Sequence, residues 1–140
     1  MKLQHNEFST EIPATWEDRT MITLIAPFGP GEFASNIVVT RHPVGPADSL
    51  EDFVAAQLDA LRQSLPGFEL LDTRRTTIDN RPASQQLHRF QSDQGFIQQV
   101  QTFVLARQTV YIITGSSTVA DFEKHLQAFR DVVENFAIAE

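Results

Sequence analysis

Two segments of the chain repeat apolar residues at the spacing of an α-helix. In the first, apolar residues recur every three or four positions from Leu50 to Leu65, which places them on one side of a helix. Ser49 directly before this stretch is a favoured N-cap, because its hydroxyl can accept a hydrogen bond from a free backbone N–H. Pro66 and Gly67 directly after it end the helical pattern.

The second helical pattern lies near the end of the chain. Apolar residues form one stripe from Val119 to Phe136, which predicts an amphipathic helix. Thr118 is its candidate N-cap. Each helix therefore has an apolar side that we expect to pack against another layer.

Most of the remaining sequence reads as β-strands separated by turn-forming residues. The predicted strands are Glu7–Ile12, Thr20–Ala26, Ser35–Arg41, Glu69–Ile78, Ser84–Gln91, Phe96–Ala106 and Thr109–Gly115. Short connections join the last three, so we expect them to form an antiparallel meander. The order of elements predicts an α+β fold, with an antiparallel sheet of about six to seven strands and two main helices laid on it.

The predicted strand Phe96–Ala106 carries apolar and uncharged polar residues on both of its faces. Gln101 shares a face with Ile97 and Phe103, and Gln57 interrupts the apolar stripe of the first helix. A buried amide without a hydrogen-bond partner costs about 1–3 kcal/mol per group. Two interpretations remain open. The glutamines bond to each other, to backbone or to water at a rim, or they line a groove that receives an apolar peptide.

The composition indicates one globular domain over residues 1–140. Hydrophobic residues make up 41% of the chain and charged residues 21%, which is typical of a folded protein. The net charge of −7 argues against binding to nucleic acid and to anionic lipid, because both attract basic proteins.

Residues that carry most enzyme and metal chemistry are absent or scattered. There is no cysteine, which excludes a disulfide, a thiolate zinc site and a cysteine nucleophile. The four histidines are not at metal-ligand spacing and no paired carboxylate motif occurs, so we expect no metal, no cofactor and no catalytic residues. We find no signal peptide and no apolar stretch of about 18 residues, so we expect a cytoplasmic protein without direct membrane anchoring.

Segments spread along the chain resemble the DcrB-like domain family. They are FSTEIPATWEDRT, NIVVTRHPV, SLEDFVAAQLDALRQSLPGFELL, NRPASQQLHRF, QVQTFVLARQTVYIITGSS and DFEKHLQAFRDVVENF. The resemblance covers nearly the whole chain, and it implies a single DcrB-like domain with the α/β sandwich known as the PsbP-like fold.

Within that family, the chain is similar to the effector-associated (Eag) chaperones of type VI secretion. The lipoprotein branch of the family needs a lipidated cysteine, which is missing here. The resemblance to the chaperones implies a small acidic homodimer without enzymatic activity. Its partner would be a secreted effector protein, whose hydrophobic, transmembrane-like N-terminal segments it would bind and shield before loading onto the spike.

Strand alternation and the resemblance together suggest which residues line the client groove. They are Ile22, Leu24, Ile37, Val39, Gln57, Leu61, Leu65, Ile97 and Gln101. Alternation by itself leaves open which face of the sheet meets the first helix.

Two other functions remain open from the sequence. The chain could be a PsbP-like interaction module with another protein partner and no chaperone role. It could also be an enzyme whose site is assembled in space from residues distant in the sequence.

Overall fold

The computed structural model describes residues 2–4, 9–17 and 19–139. Its elements are β1 (Lys2–Gln4), β2 (Ser9–Glu11), β3 (Ile22–Ile25), β4 (Asn36–Pro43), α1 (Leu50–Ser64), β5 (Glu69–Ile78), β6 (Arg81–Ser92), β7 (Gly95–Ala106), β8 (Thr109–Thr118) and α2 (Phe122–Glu134). Strands β3 to β8 form one antiparallel sheet, and one helix packs on each of its faces. The predicted α+β fold class is confirmed.

The six strands lie in the order β3-β4-β8-β7-β6-β5. Strands β5 to β8 form a meander of consecutive neighbours, which includes the three strands for which the sequence predicts one. Between β5 and β6, Asp79 and Asn80 have φ angles of 51° and 61°, the left-handed pair that a two-residue hairpin turn needs. Strand β4 pairs with β8, so β3 becomes one edge of the sheet and β5 the other.

The apolar stripe of α2 packs on one side of the sheet, which we call the α2 face. Phe129 and Val133 of the helix are buried in one cluster with Val104 and Ile113 of the strands. A Cβ atom on Gly115 would lie 2.7 Å from the Phe129 ring, so the glycine lets the helix lie directly on the strand backbone. The larger apolar core of the molecule is therefore beneath α2.

Helix α1 packs on the opposite side, which we call the α1 face. It begins where the sequence predicts, because the Ser49 hydroxyl accepts a hydrogen bond from the Asp52 N–H at 3.1 Å. Leu50 in its first turn is buried with Phe103 and Ile112. All of α1 is described, and Leu50 is its only fully buried residue. The contact of α1 with the sheet is therefore lighter than that of α2.

The second helix begins later than the sequence predicts. Strand β8 continues to Thr118, which pairs with Ile97 of β7, so Thr118 is a strand residue and not the N-cap. Its hydroxyl instead accepts a hydrogen bond from the Asp121 N–H at 3.2 Å in the turn before the helix. Val119 lies outside the helix and is exposed, although it fits the apolar stripe.

The N-terminal region also differs from the prediction. Residues 7 and 8 of the predicted strand Glu7–Ile12 lie outside the described residues. Ser9–Glu11 forms a separate two-stranded sheet with Lys2–Gln4, a strand that the sequence pattern does not predict. The edge strand Ile22–Ile25 is shorter than the predicted Thr20–Ala26.

Candidate functional site

The α1 face carries no charged side chain across five adjacent strands. The residues that the strand register places on it are Thr23 and Ile25 of β3, Asn36, Val38, Thr40 and His42 of β4, Val110, Ile112, Thr114, Ser116 and Thr118 of β8, Ile97, Gln99, Gln101, Phe103 and Leu105 of β7, and Ser84, Gln86, His88 and Phe90 of β6. The chain has 18 Asp and Glu and 11 Lys and Arg, and such residues normally supply the solvent side of an antiparallel sheet. The five strands therefore differ on this face from the usual solvent side of an antiparallel sheet.

Six polar side chains of this face form a continuous hydrogen-bonded group, which we call the amide network. Its members are Gln86 and His88 of β6, Gln99 and Gln101 of β7, and Thr114 and Ser116 of β8. Each pair occupies alternate positions of its strand, so the six lie in two rows across three neighbouring strands.

One row of the network runs through the middle of the face. Gln86 Nε2 donates to Gln101 Oε1 at 3.3 Å, and Gln101 Nε2 donates to Thr114 Oγ1 at 3.2 Å. Gln86 is buried, whereas Gln101 and Thr114 are half-buried. The amide of Gln101 is therefore held by protein partners but remains partly exposed.

The other row contains the buried His88. His88 Nε2 lies 2.8 Å from Gln99 Oε1, and Gln99 Nε2 donates to Ser116 Oγ at 2.9 Å. His88 Nδ1 lies 3.2 Å from Gln86 Nε2, which joins the two rows. Burial lowers the pKa of His88, partly opposed by the hydrogen bond to Gln99, so the imidazole is neutral at pH 7.

A second feature is the exposed apolar edge around β3. Nine large hydrophobic residues of the described chain are exposed, and six of them lie between positions 16 and 28. These six are Trp16, Met21, Ile22, Leu24, Ile25 and Phe28. Within the described residues no strand pairs with the outer side of β3, so β3 is an edge strand.

An open cleft of about 460 Å³ lies on the α2 face between α2 and strands β5 to β7. Apolar residues such as Val100 and Leu126 line it, and its rim carries charges of both signs, including Arg74, Arg130 and Glu123. Among residues 2–4, 9–17 and 19–139, no three histidine or carboxylate side chains are close enough to hold a metal ion. Neither helix of the described chain is long and apolar enough to cross a membrane.

The model of the DcrB family matches residues 7–135. The chain belongs to the DcrB family. Among curated proteins, this DcrB protein is similar to Effector EagT6 of Pseudomonas aeruginosa, with 28% identity over 130 residues, 92% of this chain and 90% of the relative.

Solved structures agree with the fold of this DcrB protein. The Pseudomonas aeruginosa protein of unknown function PA94 superposes with a TM-score of 0.86 at 24% identity, over 100% of this chain and 97% of the other. The cyanobacterial PsbP of Synechocystis sp. PCC 6803 gives 0.56 at 14% identity, over 81% and 78%. LpqN of Mycobacterium tuberculosis gives 0.58 at 13% identity, over 97% and 87%. The predicted PsbP-like fold is confirmed.

Five of the nine predicted client residues of this DcrB protein belong to the α1 side. Gln57 and Leu61 are half-buried on α1, as is Leu65 directly after the helix, and Ile97 and Gln101 are on the α1 face of β7. The side chain of Gln57 makes no hydrogen bond within the described chain, and the side chain of Gln101 bonds to Gln86 and Thr114. The two glutamines therefore do not bond to each other.

The other four predicted residues lie on the α2 face. Ile22 pairs with Val39, and Leu24 pairs with Ile37. Ile37 belongs to the core beneath α2, and Val39 packs against that core. Ile22 and Leu24 at the edge are each 49% exposed.

The expectation that all nine residues line one groove is therefore corrected, because within one chain they divide between opposite faces. Alternation fixes which residues of one strand share a face. It does not fix which residues of β3 and β4 share a sheet face with a given residue of β7. That depends on the register of the strands between them.

The sequence analysis also missed most of the amide network. Gln86 and His88 are separated by one residue, as are Gln99 and Gln101 and also Thr114 and Ser116, and this repeated spacing is visible in the sequence. Alternate polar residues in three consecutive strands of a meander can meet on one face. That repeat was the signal that could have identified the network.

Proposed function

We propose that this DcrB protein is an effector-associated chaperone of type VI secretion. It binds and shields the hydrophobic, transmembrane-like N-terminal segment of an effector before that effector is loaded onto the spike, and it has no catalytic role. The observation that carries this proposal is the uncharged α1 face of five strands. Similarity to Effector EagT6 over 92% of the chain supports it.

The chemistry of the α1 face suits an apolar segment. A charged group buried against such a segment without a counter-ion would cost several kcal/mol, and the five strands offer none. Transmembrane-like helices also bring small residues and occasional hydroxyl groups. Gln101 and Gln57 can bond to those groups without introducing charge.

We assign the client groove to the part of the α1 face beside α1. Gln57 and Leu61 of the helix form one wall, and Gln101, Thr114 and Val38 form the floor. Each of these five residues is half-buried. They are accessible to a client but are held in place by the fold, as a binding surface requires.

We further propose that the exposed edge around β3 is covered by a second copy of the chain. Ile22 and Leu24 are apolar and half-exposed on an edge strand, whose outer side has no partner strand within the described chain, and such an edge is normally protected. Replacing both with Asp should convert a homodimer into a monomer without unfolding it. Sedimentation velocity at micromolar concentration measures this, and a wild-type protein that is already monomeric would contradict the dimer.

The client groove is tested at Thr114 by co-expression with apolar effector N-terminal segments and pull-down. Thr114→Asp adds a carboxylate at a half-buried floor position where its oxygen can still accept from Gln101, so capture should fall roughly 100-fold. Thr114→Asn is the matched control, since it has the same size without the charge, and it should retain capture. Equal capture by the Asp variant and wild type, with both folded, would rule out this groove.

The same pull-down separates the chaperone from an interaction module with another kind of partner. A chaperone of apolar segments captures an effector through its N-terminal segment and loses it when that segment is deleted. Capture that survives the deletion would favour the interaction module.

A further inference from the structure

The amide network is organised around one buried imidazole. A neutral imidazole has one N–H donor and one acceptor nitrogen, and each glutamine amide has one oxygen that only accepts and one NH₂ group that only donates. The His88 contacts at 2.8 Å to Gln99 Oε1 and at 3.2 Å to Gln86 Nε2 therefore require hydrogen on Nε2 and a free lone pair on Nδ1.

Two hydrogen bonds of His88 fix how the amide groups of the neighbouring glutamines are turned. The Nε2–H of His88 binds Gln99 Oε1, which turns the NH₂ group of Gln99 toward Ser116. The Nδ1 atom of His88 accepts from Gln86, whose NH₂ group also donates to Gln101 Oε1. This contact turns the NH₂ group of Gln101 toward Thr114.

We propose that His88 is the positioning residue of the groove, whose neutral Nε2–H form makes Gln99 and Gln101 present N–H donors rather than carbonyl acceptors to the client. The part of this proposal that concerns client binding rests on the proposed function. The recognised chemistry is a hydrogen-bond acceptor within an apolar segment, the hydroxyl oxygen of a Ser or Thr.

A count of donors supports this polarity. An NH₂ group carries two hydrogens. Gln99 uses one on Ser116 and Gln101 uses one on Thr114, which leaves one N–H of each amide for an acceptor. Both glutamines are half-buried, whereas His88 and Gln86 are 0% and 2% exposed. Gln99 and Gln101 can therefore contact a client, and His88 and Gln86 act only through these two glutamines.

The reverse orientation would require every amide of the network to turn. A hydrogen on His88 Nδ1 would face the NH₂ group of Gln86, so that amide would have to turn. Its oxygen would then face Gln101 Oε1 across a contact that is 3.3 Å in the structure, and Gln101 would have to turn as well. In the observed arrangement Gln86 Oε1 is a buried atom without a partner among the described residues, which is a cost of this orientation.

The surroundings of His88 favour its neutral form. Phe68, which follows α1, lies against the imidazole with ring centroids 5.0 Å apart, and the Arg62 guanidinium of α1 lies 5.6 Å from the Phe68 ring. In the sheet, His88 lies between Leu70 of β5 on one side and Gln99 of β7 on the other. The charged group that lies over the Phe68 ring is a cation, so it gives an imidazolium no support.

The tautomer can be read directly by NMR of ¹⁵N-labelled protein. The ring-nitrogen shifts of His88 should report hydrogen on Nε2 and none on Nδ1 near neutral pH. Gln86→Glu puts oxygen where an NH₂ group faces Nδ1, so it should move hydrogen onto Nδ1. Gln85→Glu is the matched control, because this neighbour bonds to Arg74 and Thr102 on the α2 face, and it should leave the ring unchanged.

Two outcomes of this experiment would overturn the positioning role. One is a wild-type ring with hydrogen on Nδ1, which needs no variant and is independent of whether Gln86→Glu folds. The other is a folded Gln86→Glu protein whose ring is unchanged. Neither result depends on a client, so failure of the chaperone proposal remains distinguishable from failure of the positioning role.

The client consequence is tested with two synthetic Leu–Ala peptides of about 20 residues, one of which carries two serines. Wild-type protein should bind the serine peptide about fivefold more tightly than the plain one, the value of roughly one hydrogen bond. His88→Phe should abolish that preference, whereas loss of structure alone would weaken both peptides alike. An unchanged preference in folded His88→Phe would overturn the positioning role, and binding of neither peptide by wild type would overturn the groove.

Discussion

The two faces of the sheet are built from the same alternating strands, yet they carry different kinds of side chain. On the α2 face, aromatic and aliphatic residues fill the interior beneath the helix, and charged residues such as Arg41, Asp72 and Arg89 occupy the strands farther out. On the α1 face, five strands have no charge, and a hydrogen-bonded network lies where further apolar packing would be expected. One face resembles an ordinary core with its rim, and the other is the face to which we assign the client groove.

The difference follows from what each kind of residue contributes. Apolar side chains stabilise a fold wherever they are buried, without needing a particular direction. Buried amides contribute little net stability and are costly when unpaired, but they fix one arrangement of donors and acceptors. We therefore expect the α2 face to determine stability and the α1 face to determine recognition.

The largest expected effect is on the stability side of this comparison. Phe129→Ala removes a ring that is 5% exposed and lies on Gly115. Its centroid is 5.6 Å from that of the Phe122 ring. It should lower the free energy of unfolding by about 3–5 kcal/mol, measured by urea denaturation. Phe96→Ala is the control, since this ring of the same face is 50% exposed, and it should cost much less. Equal losses for the two variants would refute the idea that α2 anchors the fold.

Local features of this fold could be predicted from the sequence because they depend on neighbouring residues. Ser49 caps α1 as predicted, since a capping hydroxyl needs only the N–H groups of the next turn. Strand β5 has its predicted bounds, Glu69–Ile78, because turn-forming residues flank it. The two helices and the meander likewise follow from periodicity and short connections.

Features that depend on distant strands were not predictable in the same way. Thr118 fits a helix cap locally, but pairing with Ile97 keeps it in β8. Ile37 and Gln101 fit one groove by alternation, but the register through β8 puts them on opposite faces. For Ile37 and Gln101, a one-residue change in the pairing of the strands between them would reverse which faces they share, and the sequence pattern alone does not contain that register.

The next effect compares two glutamines of similar burial on opposite faces. Gln101 bonds to Gln86 and Thr114, and Gln85 bonds to Arg74 and Thr102. Replacing either with Ala should lower the free energy of unfolding by about 1–2 kcal/mol, because each leaves polar partners unpaired. Client capture should fall only for Gln101→Ala, by about 0.5–1.5 kcal/mol.

Thermal unfolding and a capture titration on the same two proteins decide between the roles. If Gln101→Ala is destabilised but captures clients as well as wild type does, its role is structural. If Gln85→Ala weakens capture equally, recognition is not confined to the α1 face, and the contrast between the faces fails for binding.

The smallest expected effect is a pH dependence that arises on the α1 face. Burial lowers the pKa of His88 below its ordinary value of 6.5, so between the folded and unfolded pKa values the unfolded chain binds more protons. The stability contributed by neutral His88 is therefore complete above pH 6.5 and is lost as the pH falls toward the folded pKa. Urea denaturation of wild type and of His88→Gln across this range should show a shallower decline for the variant.

His42 provides the control, because it lies on the same face and burial also lowers its pKa, with a smaller contribution from Arg19. His42→Gln should likewise reduce the fall in the free energy of unfolding at acid pH. It should leave the NMR signals of the His88 ring and of the Gln99 and Gln101 side-chain amides unchanged at neutral pH. In wild type, those amide signals should change with the pH at which His88 takes up its proton, because protonated Nδ1 and the NH₂ group of Gln86 are both donors. Amide signals that stay constant while His88 titrates would show that its ionisation is not coupled to the network.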